Sequence, residues 1–286
     1  MTPTMPARLF PTARTEAALA DAQTVTAQTE HPAYRLAFQD DEFLLRDELR
    51  PVRFQLELMK AELALAEAGI ASTFVFYGSA RIPSPEDAAA LVAAAAGGDA
   101  RRIAESLAAK SRYYTVARDL ARLASGVGAD AAGKQFVVCS GGGPSIMEAA
   151  NRGAADAGAI SIGLNIVLPF EQVPNPYVTP GLSFQFHYFA LRKMHFLMRA
   201  RAVAVFPGGF GTFDEMFELL TLVQTGKVAP LPIFLFGRDF WSRVVDFDAL
   251  ADEGTIARVD LKLFHIVETA DEAWAIVIAH YALTAG

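Results

Sequence analysis

Short apolar runs alternate with longer amphipathic stretches from about residue 72 to the end of the chain. The apolar runs are rich in Val, Ile, Leu, Phe and Ala, and they predict strands at 72–78, 136–143, 159–168, 202–206, 231–237 and 263–269. Nearly solid apolar runs are typical of strands in a parallel sheet that is covered by helices on both faces. The pattern therefore predicts a sheet whose two faces are both covered by helices.

The stretches between these strands show helical spacing. They predict helices at 100–125, 144–158, 186–200, 213–227, 239–254 and 270–283. Alternating strands and helices with right-handed crossovers form an open, doubly wound parallel sheet. We therefore predict an α/β, Rossmann-like fold.

The N-terminal part of the chain has a different pattern. Residues 1–35 lack periodicity, which predicts a flexible arm. The pattern at 36–70 predicts a helical extension, in which Pro51 kinks or divides the helix. Residues 36–286 are then predicted to form a single Rossmann-like domain that includes this extension.

Charge and composition narrow the classes of partner. The 286 residues have a formal net charge of -7 and no dominant Lys/Arg cluster, which argues against binding to a nucleic acid polymer or an anionic membrane. No secretory signal or membrane span is predicted, and the single cysteine, Cys139, is expected to be a buried thiol in a reducing, cytoplasmic compartment. His187 and His195 do not have a metal-ligand spacing, so no metal site is predicted.

Two predicted strands run directly into glycine-rich turns, CSGGGPSIME at 139–148 and FPGGFGTFDE at 206–215. Neither turn matches a nucleotide P-loop or a G-x-G-x-x-G motif. Successive glycines followed by a helix can nevertheless converge backbone N–H groups on an anion such as phosphate. The alternative is tight strand-to-helix packing without a ligand, but the presence of two such turns favours a ligand.

The acids after the second turn have two possible roles. Thr212 and Glu215 fit a T-x-x-E capping box, with Thr212 as the N-cap residue and Glu215 reaching back to its amide. Asp214 would suit the positive end of the helix dipole. The local pattern by itself favours capping over catalysis for Glu215.

The motif PGGFGTFDE, together with LRKMHFL at 191–197, resembles the LONELY GUY (LOG) family. The similarity covers about residues 72–240 and includes the motif GGGPSIMEAANRGA. This resemblance implies a Rossmann-like enzyme without a cofactor that hydrolyses nucleoside 5′-monophosphates, such as AMP or cytokinin ribotides, to free base and ribose 5-phosphate. The extension at 36–70 is similar to that of the longer class of the family.

The resemblance also implies roles for individual residues. Arg192 and Glu215 would be the catalytic pair, and Arg192 would either orient Glu215 or contact the substrate. The resemblance further implies pairing through the helices beside the site, as a homodimer or a multiple of dimers. The implied substrate-binding residues are Gly78, Ser79, Gly141, Gly142, Gly143, Lys193, Met194, Gly208, Gly209, Gly211 and Thr212.

The chemistry of N-glycosidic cleavage is compatible with one carboxylate. Positive charge develops at the sugar C1′ atom, where a carboxylate can stabilise it and activate water. Asp214 and Glu215 are adjacent on a helix and point about 100° apart, so they cannot form an opposed pair of acids. We therefore expect Glu215 alone to be catalytic and Asp214 to cap or support the helix.

Two other functions remain open from the sequence. The same scaffold could be a non-catalytic carrier of a nucleotide or cofactor, since fold does not determine function. A pyridoxal phosphate-dependent lysine decarboxylase would need a Schiff-base lysine, for which Lys193 and Lys134 are available. The arginine and acid of the motif favour the hydrolase.

Overall fold

The computed structural model describes residues 10–169 and 173–283, so the first nine residues of the predicted arm lie outside the described residues. The chain divides into two compact units, Met1–Glu57 and Leu58–Gly286. This division lies further along the chain than the boundary predicted between residues 35 and 36, which stays a prediction.

The first unit consists of short helical pieces, and none of its described residues is buried. Its elements are α1 Ala13–Asp21, α2 Asp41–Leu44, three 3₁₀ turns and the start of α3 Arg50–Glu67. Helix α1 lies within the segment for which no periodicity was found. Pro51 is the second residue of α3, where the missing N–H is tolerated. It therefore lies in the first turn of the helix and does not divide it.

The second unit is built on a seven-stranded parallel sheet with the order β6-β5-β4-β1-β7-β8-β9. A separate antiparallel pair, β2 with β3, lies outside this sheet. The strands are β1 Thr73–Tyr77, β2 Ala129–Asp130, β3 Gly133–Lys134, β4 Val137–Ser140, β5 Ser161–Ile166, β6 Ser183–Phe186, β7 Ala200–Val205, β8 Ile233–Phe236 and β9 His265–Val267.

Helices connect the parallel strands. They are α4 Pro85–Ala94, α5 Gly98–Ala108, α6 Arg112–Ala124, α7 Ile146–Asp156, α8 Phe189–Met198, α9 Phe210–Gln224, α10 Arg238–Val244, α11 Phe247–Asp252 and α12 Ala270–Tyr281, with 3₁₀ turns at Pro180–Leu182 and Arg258–Lys262. Within the described ranges, every helix is too short or too polar to span a bilayer. The predicted α/β Rossmann-like fold with an N-terminal helical extension is confirmed.

Successive side chains of the central strands face opposite sides of the sheet. On one side, Phe76, Phe206 and Phe236 stack nearly parallel, with neighbouring ring centroids 6.4 and 4.3 Å apart, in a core shared with α6, α7 and α12. On the other side, Tyr77 meets Phe196 of α8 edge to face at 5.1 Å. Both faces are therefore covered, which explains why the central strands are largely apolar.

The order of the strands locates the crevice of the fold. Strand β1 lies between β4 and β7, and the chain moves outward from β1 to β6 before it returns to the other side of β1 at β7. Such a reversal separates the loops at the carboxyl ends of the strands and opens a crevice there. Both glycine-rich turns lie at this edge, because they follow β4 and β7 directly.

Candidate active site at the carboxyl ends of the central strands

A cavity of about 950 Å³ lies at this edge of the sheet. It is lined by the loops after β1, β4, β5 and β7, and by parts of α8, α9 and α10. The predicted site residues that line it are Gly78, Ser79, Gly141, Arg192, Gly208, Gly209, Gly211, Thr212 and Glu215.

Glycine is required where the loops approach each other closely. A Cβ atom on Gly141 would lie 2.5 Å from a terminal nitrogen of Arg192 and 2.8 Å from the sulfur of Met147. A Cβ atom on Gly208 would overlap the hydroxyl of Thr212. A side chain at Gly208 would therefore clash with Thr212 whether or not a ligand is bound, whereas a side chain at Gly141 would displace Arg192 and Met147.

Helix α9 begins earlier than the capping pattern requires. Gly209 is the N-cap residue and Phe210 is the first helical residue, with no side chain capping the helix. Thr212 is thus already inside the first turn and is buried, while Glu215 is the sixth residue of the helix. The capping-box interpretation of Thr212 and Glu215 is wrong, because the glycine turn itself supplies the helix start.

The start of α9 has the properties of an anion site. The first amide of the helix to find a carbonyl partner is that of Phe213, which donates to Gly209 O at 3.1 Å. The amides before Phe213 have no carbonyl partner within the helix, and the helix dipole adds partial positive charge at this end. Gly208, Gly209 and Gly211 place this part of the backbone at the cavity wall.

Arg192 and Glu215 meet at the inner end of the cavity. A terminal nitrogen of Arg192 lies 3.7 Å from Glu215 Oε1, and the two side chains are only 12% and 15% exposed. Arg192 Nε donates to Leu164 O of β5 at 2.6 Å, and its guanidinium lies over the ring of Phe196. The arginine is therefore held from two sides and positions a positive charge beside the acid.

Burial controls the ionisation of this pair. Burial raises the pKa of Glu215 to about 7, although the nearby Arg192 cation lowers it in part. Burial likewise lowers the pKa of Arg192, while Glu215 opposes that shift. A carboxyl group that titrates near neutral pH can exchange protons with water or substrate at physiological pH.

Asp214 lies outside the cavity and has another partner. Its carboxylate lies 3.2 Å from Lys193 Nζ, which also pairs with Glu218 at 3.0 Å. Burial alone would lower the pKa of Lys193, but the hydrogen bonds that it donates to Glu218 and Asp214 raise it. Asp214 therefore supports Lys193 and does not cap α9, since it is the fifth residue of the helix.

Four of the predicted substrate-binding residues do not line this cavity. Lys193 is engaged with its acid partners, and Met194 is 47% exposed on a different groove. Gly142 and Gly143 follow Gly141 in the turn but lie behind the cavity wall. Their carbonyl oxygens accept hydrogen bonds from Asn175 Nδ2 at 3.2 and 3.0 Å. The turn after β4 thus contributes Gly141 alone to the cavity wall.

A buried polar network that the sequence analysis did not identify holds this turn in place. Asn151 Oδ1 accepts hydrogen bonds from Ser140 Oγ at 2.7 Å and from Asn175 Nδ2 at 2.9 Å. These residues come from α7, β4 and the Pro-rich loop before β6. The position of Asn175 between two prolines in the motif PNP was the available signal.

Other cavity residues were also not predicted. Arg81 and Asn165 are polar, and the apolar part of the wall consists of Met147, Ile166, Leu168, Phe189, Phe210, Phe213, Phe240 and Val244. Phe210 is 97% exposed at the mouth of the cavity. No group of three His, Cys, Asp or Glu side chains that could hold a metal ion occurs in the described part of the chain.

The sheet and its crevice define a Rossmann-like protein with an enclosed acid and arginine at the switch point. A family model described as "possible lysine decarboxylase" matches residues 147–277, which include α8, the second glycine turn and α9. The matched part of the chain contains the motif PGGFGTFDE, through which the sequence resembles the LOG family. No curated protein matches the sequence significantly.

Several solved structures resemble the chain in fold. The protein TM1055, from a structural genomics project, is 20% identical, with a TM-score of 0.45 and coverage of 73% of this chain and 99% of that one. Two structures of the molybdenum cofactor carrier protein from Chlamydomonas reinhardtii are 17% and 16% identical, with TM-scores of 0.42 and 0.41 and coverage of 74% of this chain and 99% of theirs. Similarities at this level carry no argument about function.

Proposed function

We propose that the protein hydrolyses the N-glycosidic bond of nucleoside 5′-monophosphates and releases the free base and ribose 5-phosphate. The observation that carries the proposal is Glu215, a buried carboxyl group with a pKa of about 7 in the wall of a cavity that also contains the glycine turn before α9. The resemblance to the LOG family supports it, since every position of the family motif is filled in this chain.

The reaction needs one acid in this geometry. As the bond between C1′ and the base nitrogen breaks, positive charge develops on the ribose, and ionised Glu215 stabilises it. The same carboxylate accepts a proton from the attacking water, whose oxygen bonds to C1′, while the departing base takes up a proton from solvent at its nitrogen. Glu215 then releases its proton to solvent, which restores the ionised carboxylate. Among the described residues that line the cavity, Glu215 is the only carboxylic acid.

Arg192 fits a positioning role in this mechanism. Its guanidinium is fixed by Leu164 O and lies beside Glu215, so it holds the carboxylate in one orientation and favours the ionised form. Phosphate binding at the start of α9 would place C1′ at a fixed distance from Glu215. Binding energy from the phosphate group would then contribute to the rate of cleavage at C1′.

The proposal is tested by incubating the protein with AMP, GMP, CMP and UMP and measuring ribose 5-phosphate. We expect release from at least one monophosphate, and a kcat/KM for AMP at least about 100-fold above that for adenosine, because charge-assisted hydrogen bonds to phosphate are lost with the nucleoside. Equal turnover of AMP and adenosine would contradict the role of the phosphate. Absence of release from all four nucleotides would refute the hydrolase, and calorimetric binding of AMP without release would instead support the carrier.

The description of the family model as a possible lysine decarboxylase is not supported by the cavity. Among the described residues that line it, none is a lysine. The two lysines considered from the sequence are occupied elsewhere, Lys193 with Asp214 and Glu218, and Lys134 with Ala68 O at 2.7 Å. The raised pKa of Lys193 is also the opposite of what a Schiff-base lysine needs.

We also propose that the protein forms a homodimer or a multiple of dimers through α8 and α9. Support comes from a groove of about 510 Å³ whose apolar lining residues, Met194, Leu197, Met198, Leu222 and Leu231, lie beside the charged Arg201, Glu218 and Lys227. Sedimentation of the wild type should give at least a dimer, and Met198→Asp should shift it toward the monomer because a charge would be buried in the interface. A monomeric wild type would contradict this proposal.

The cytoplasmic location expected from the sequence stays a prediction.

A further inference from the structure

Arg81 is the second arginine in the wall of the active-site cavity. Its side chain is exposed and lines the cavity together with the second glycine turn. Within the described part of the chain, no ion pair or side-chain hydrogen bond engages its guanidinium. Arg192, in contrast, already has Glu215 and Leu164 O as partners.

The backbone that carries Arg81 is held in place. Ser79 N donates to Pro207 O at 3.1 Å, and Arg81 N donates to Ser79 Oγ at 3.0 Å. On its other side, Ile82 is buried and its carbonyl oxygen accepts from Ser145 Oγ at 2.5 Å. The arginine therefore extends from a fixed segment, so little backbone entropy is lost when its side chain binds a ligand.

These hydrogen bonds also place Arg81 on a definite side of the cavity. Pro207 immediately precedes Gly208, so the segment after β1 is bonded to the first residues of the anion-binding turn. The guanidinium of Arg81 and the amides at the start of α9 thus belong to neighbouring loops that face the same space. A guanidinium with free N–H groups beside such amides is well suited to a phosphate, which it can bind through two oxygens.

The charges in the cavity favour an anion at this place. The described lining residues carry two positive side chains, Arg81 and Arg192, and one acid, Glu215. Glu215 is paired with Arg192, so the positive charge of Arg81 is not neutralised within the cavity. This occurs in a chain whose formal net charge is -7, so the positive charge is not part of a generally basic surface.

We propose that Arg81 binds the phosphate group of the substrate and is the side chain that selects phosphorylated over unphosphorylated nucleosides. This inference rests on the proposed function, because it names the group that recognises the substrate of the same site. The glycine turn supplies uncharged donors, and Arg81 supplies the formal charge that a phosphate dianion requires. Arg81 touches the substrate but not the reacting C1′ atom, so it is a specificity-determining residue.

The kinetic test compares Arg81→Ala with the wild type on AMP and adenosine. We expect kcat/KM for AMP to fall about 10- to 100-fold, mainly through KM, because one charge-assisted contact is lost in ground and transition state alike. Turnover of adenosine should not change, and Arg81→Lys should recover part of the AMP activity. The control is Arg243→Ala, which removes an exposed arginine that does not line the cavity.

The outcomes separate the possible roles of Arg81. An equal loss for AMP and adenosine would show a contact with the base or sugar and overturn the proposal. Unchanged kinetics for AMP in Arg81→Ala would overturn it too. A fall in AMP activity of the same size in Arg243→Ala would show a general effect of surface charge instead.

A binding test does not depend on hydrolysis. Calorimetric titration with ribose 5-phosphate should give an affinity about 10- to 100-fold weaker for Arg81→Ala than for the wild type, with no such difference for ribose. If the wild type binds ribose 5-phosphate but hydrolyses no nucleotide, the proposed reaction fails while the role of Arg81 stands. Wild-type affinity in Arg81→Ala, or no binding of ribose 5-phosphate by the wild type, would refute the role of Arg81 directly.

Discussion

Glu215→Gln should lower kcat for nucleotide hydrolysis by about 100- to 10,000-fold, the range that general acid–base catalysis contributes. Glutamine keeps the shape of the side chain but can neither accept a proton from water nor place a negative charge beside C1′. Substrate affinity should change little, because the proposed phosphate contacts lie elsewhere in the cavity. The measurement is the steady-state release of ribose 5-phosphate, together with calorimetric binding of AMP to the variant.

The neighbouring acid provides a matched control for this substitution. Asp214 is on the same helix, but its side chain is 56% exposed and pairs with Lys193 outside the cavity. Because Asp214 does not line the cavity, Asp214→Asn should keep kcat close to the wild-type value. The variant should also remain folded, since an exposed ion pair contributes only about 0–1 kcal/mol to stability. A fully active, folded Glu215→Gln would exclude Glu215 as the catalytic acid.

Glu215→Gln should also stabilise the protein at alkaline pH. The pKa of Glu215 in the folded state is about 7, above the ordinary value of 4.5, so the folded protein binds this proton more tightly than the unfolded chain does. The free energy of unfolding of the wild type therefore falls as the pH rises from about 4.5 to 7. Above that window the ionised carboxylate costs about 3 kcal/mol, which glutamine avoids.

Thermal unfolding of the wild type and Glu215→Gln at several pH values measures this effect. We expect similar Tm values near pH 4 and a Tm for the variant that is higher by about 6–12 °C at pH 8. Glu62→Gln should behave in the opposite way, because hydrogen bonds from Arg199 lower the pKa of Glu62 and its ionised form stabilises the fold near neutral pH. A Tm difference for Glu215→Gln that does not vary with pH would contradict the burial of this acid.

The fold could be predicted where a local pattern reports directly on burial. The central strands β1, β7 and β8 are covered on both faces, so their sequences are apolar except at Thr73 and Arg201 and were recognised. Strand β6 was not recognised, because SFQF is short and alternating and lies next to the aromatic start of α8. The helix predicted at 100–125 is divided at Ala109–Ser111, where the helical spacing continues across the break between α5 and α6.

The candidate site could be predicted only in part, for a different reason. The glycines, Arg192 and Glu215 form a motif that is recognisable along the chain, and most of its members line one cavity. The capping interpretation was wrong because a cap depends on the residue at which a helix begins, and T-x-x-E does not determine that residue. The contact between Asn151 and Asn175 could not be predicted, because the two residues are far from each other in sequence and meet only in the folded protein.

The order in which the cavity walls occur along the chain has a consequence for synthesis. The walls come from the ends of β1, β4, β5 and β7 and from α10, so residues from Gly78 to Val244 must all be made before the cavity is complete. Strand β9 follows later, and until β9 pairs with it, β8 is an open edge with free N–H and C=O groups. A ribosome-bound chain that already contains every residue of its cavity is therefore still open to association with other chains, and it loses that hazard only when its last strand emerges.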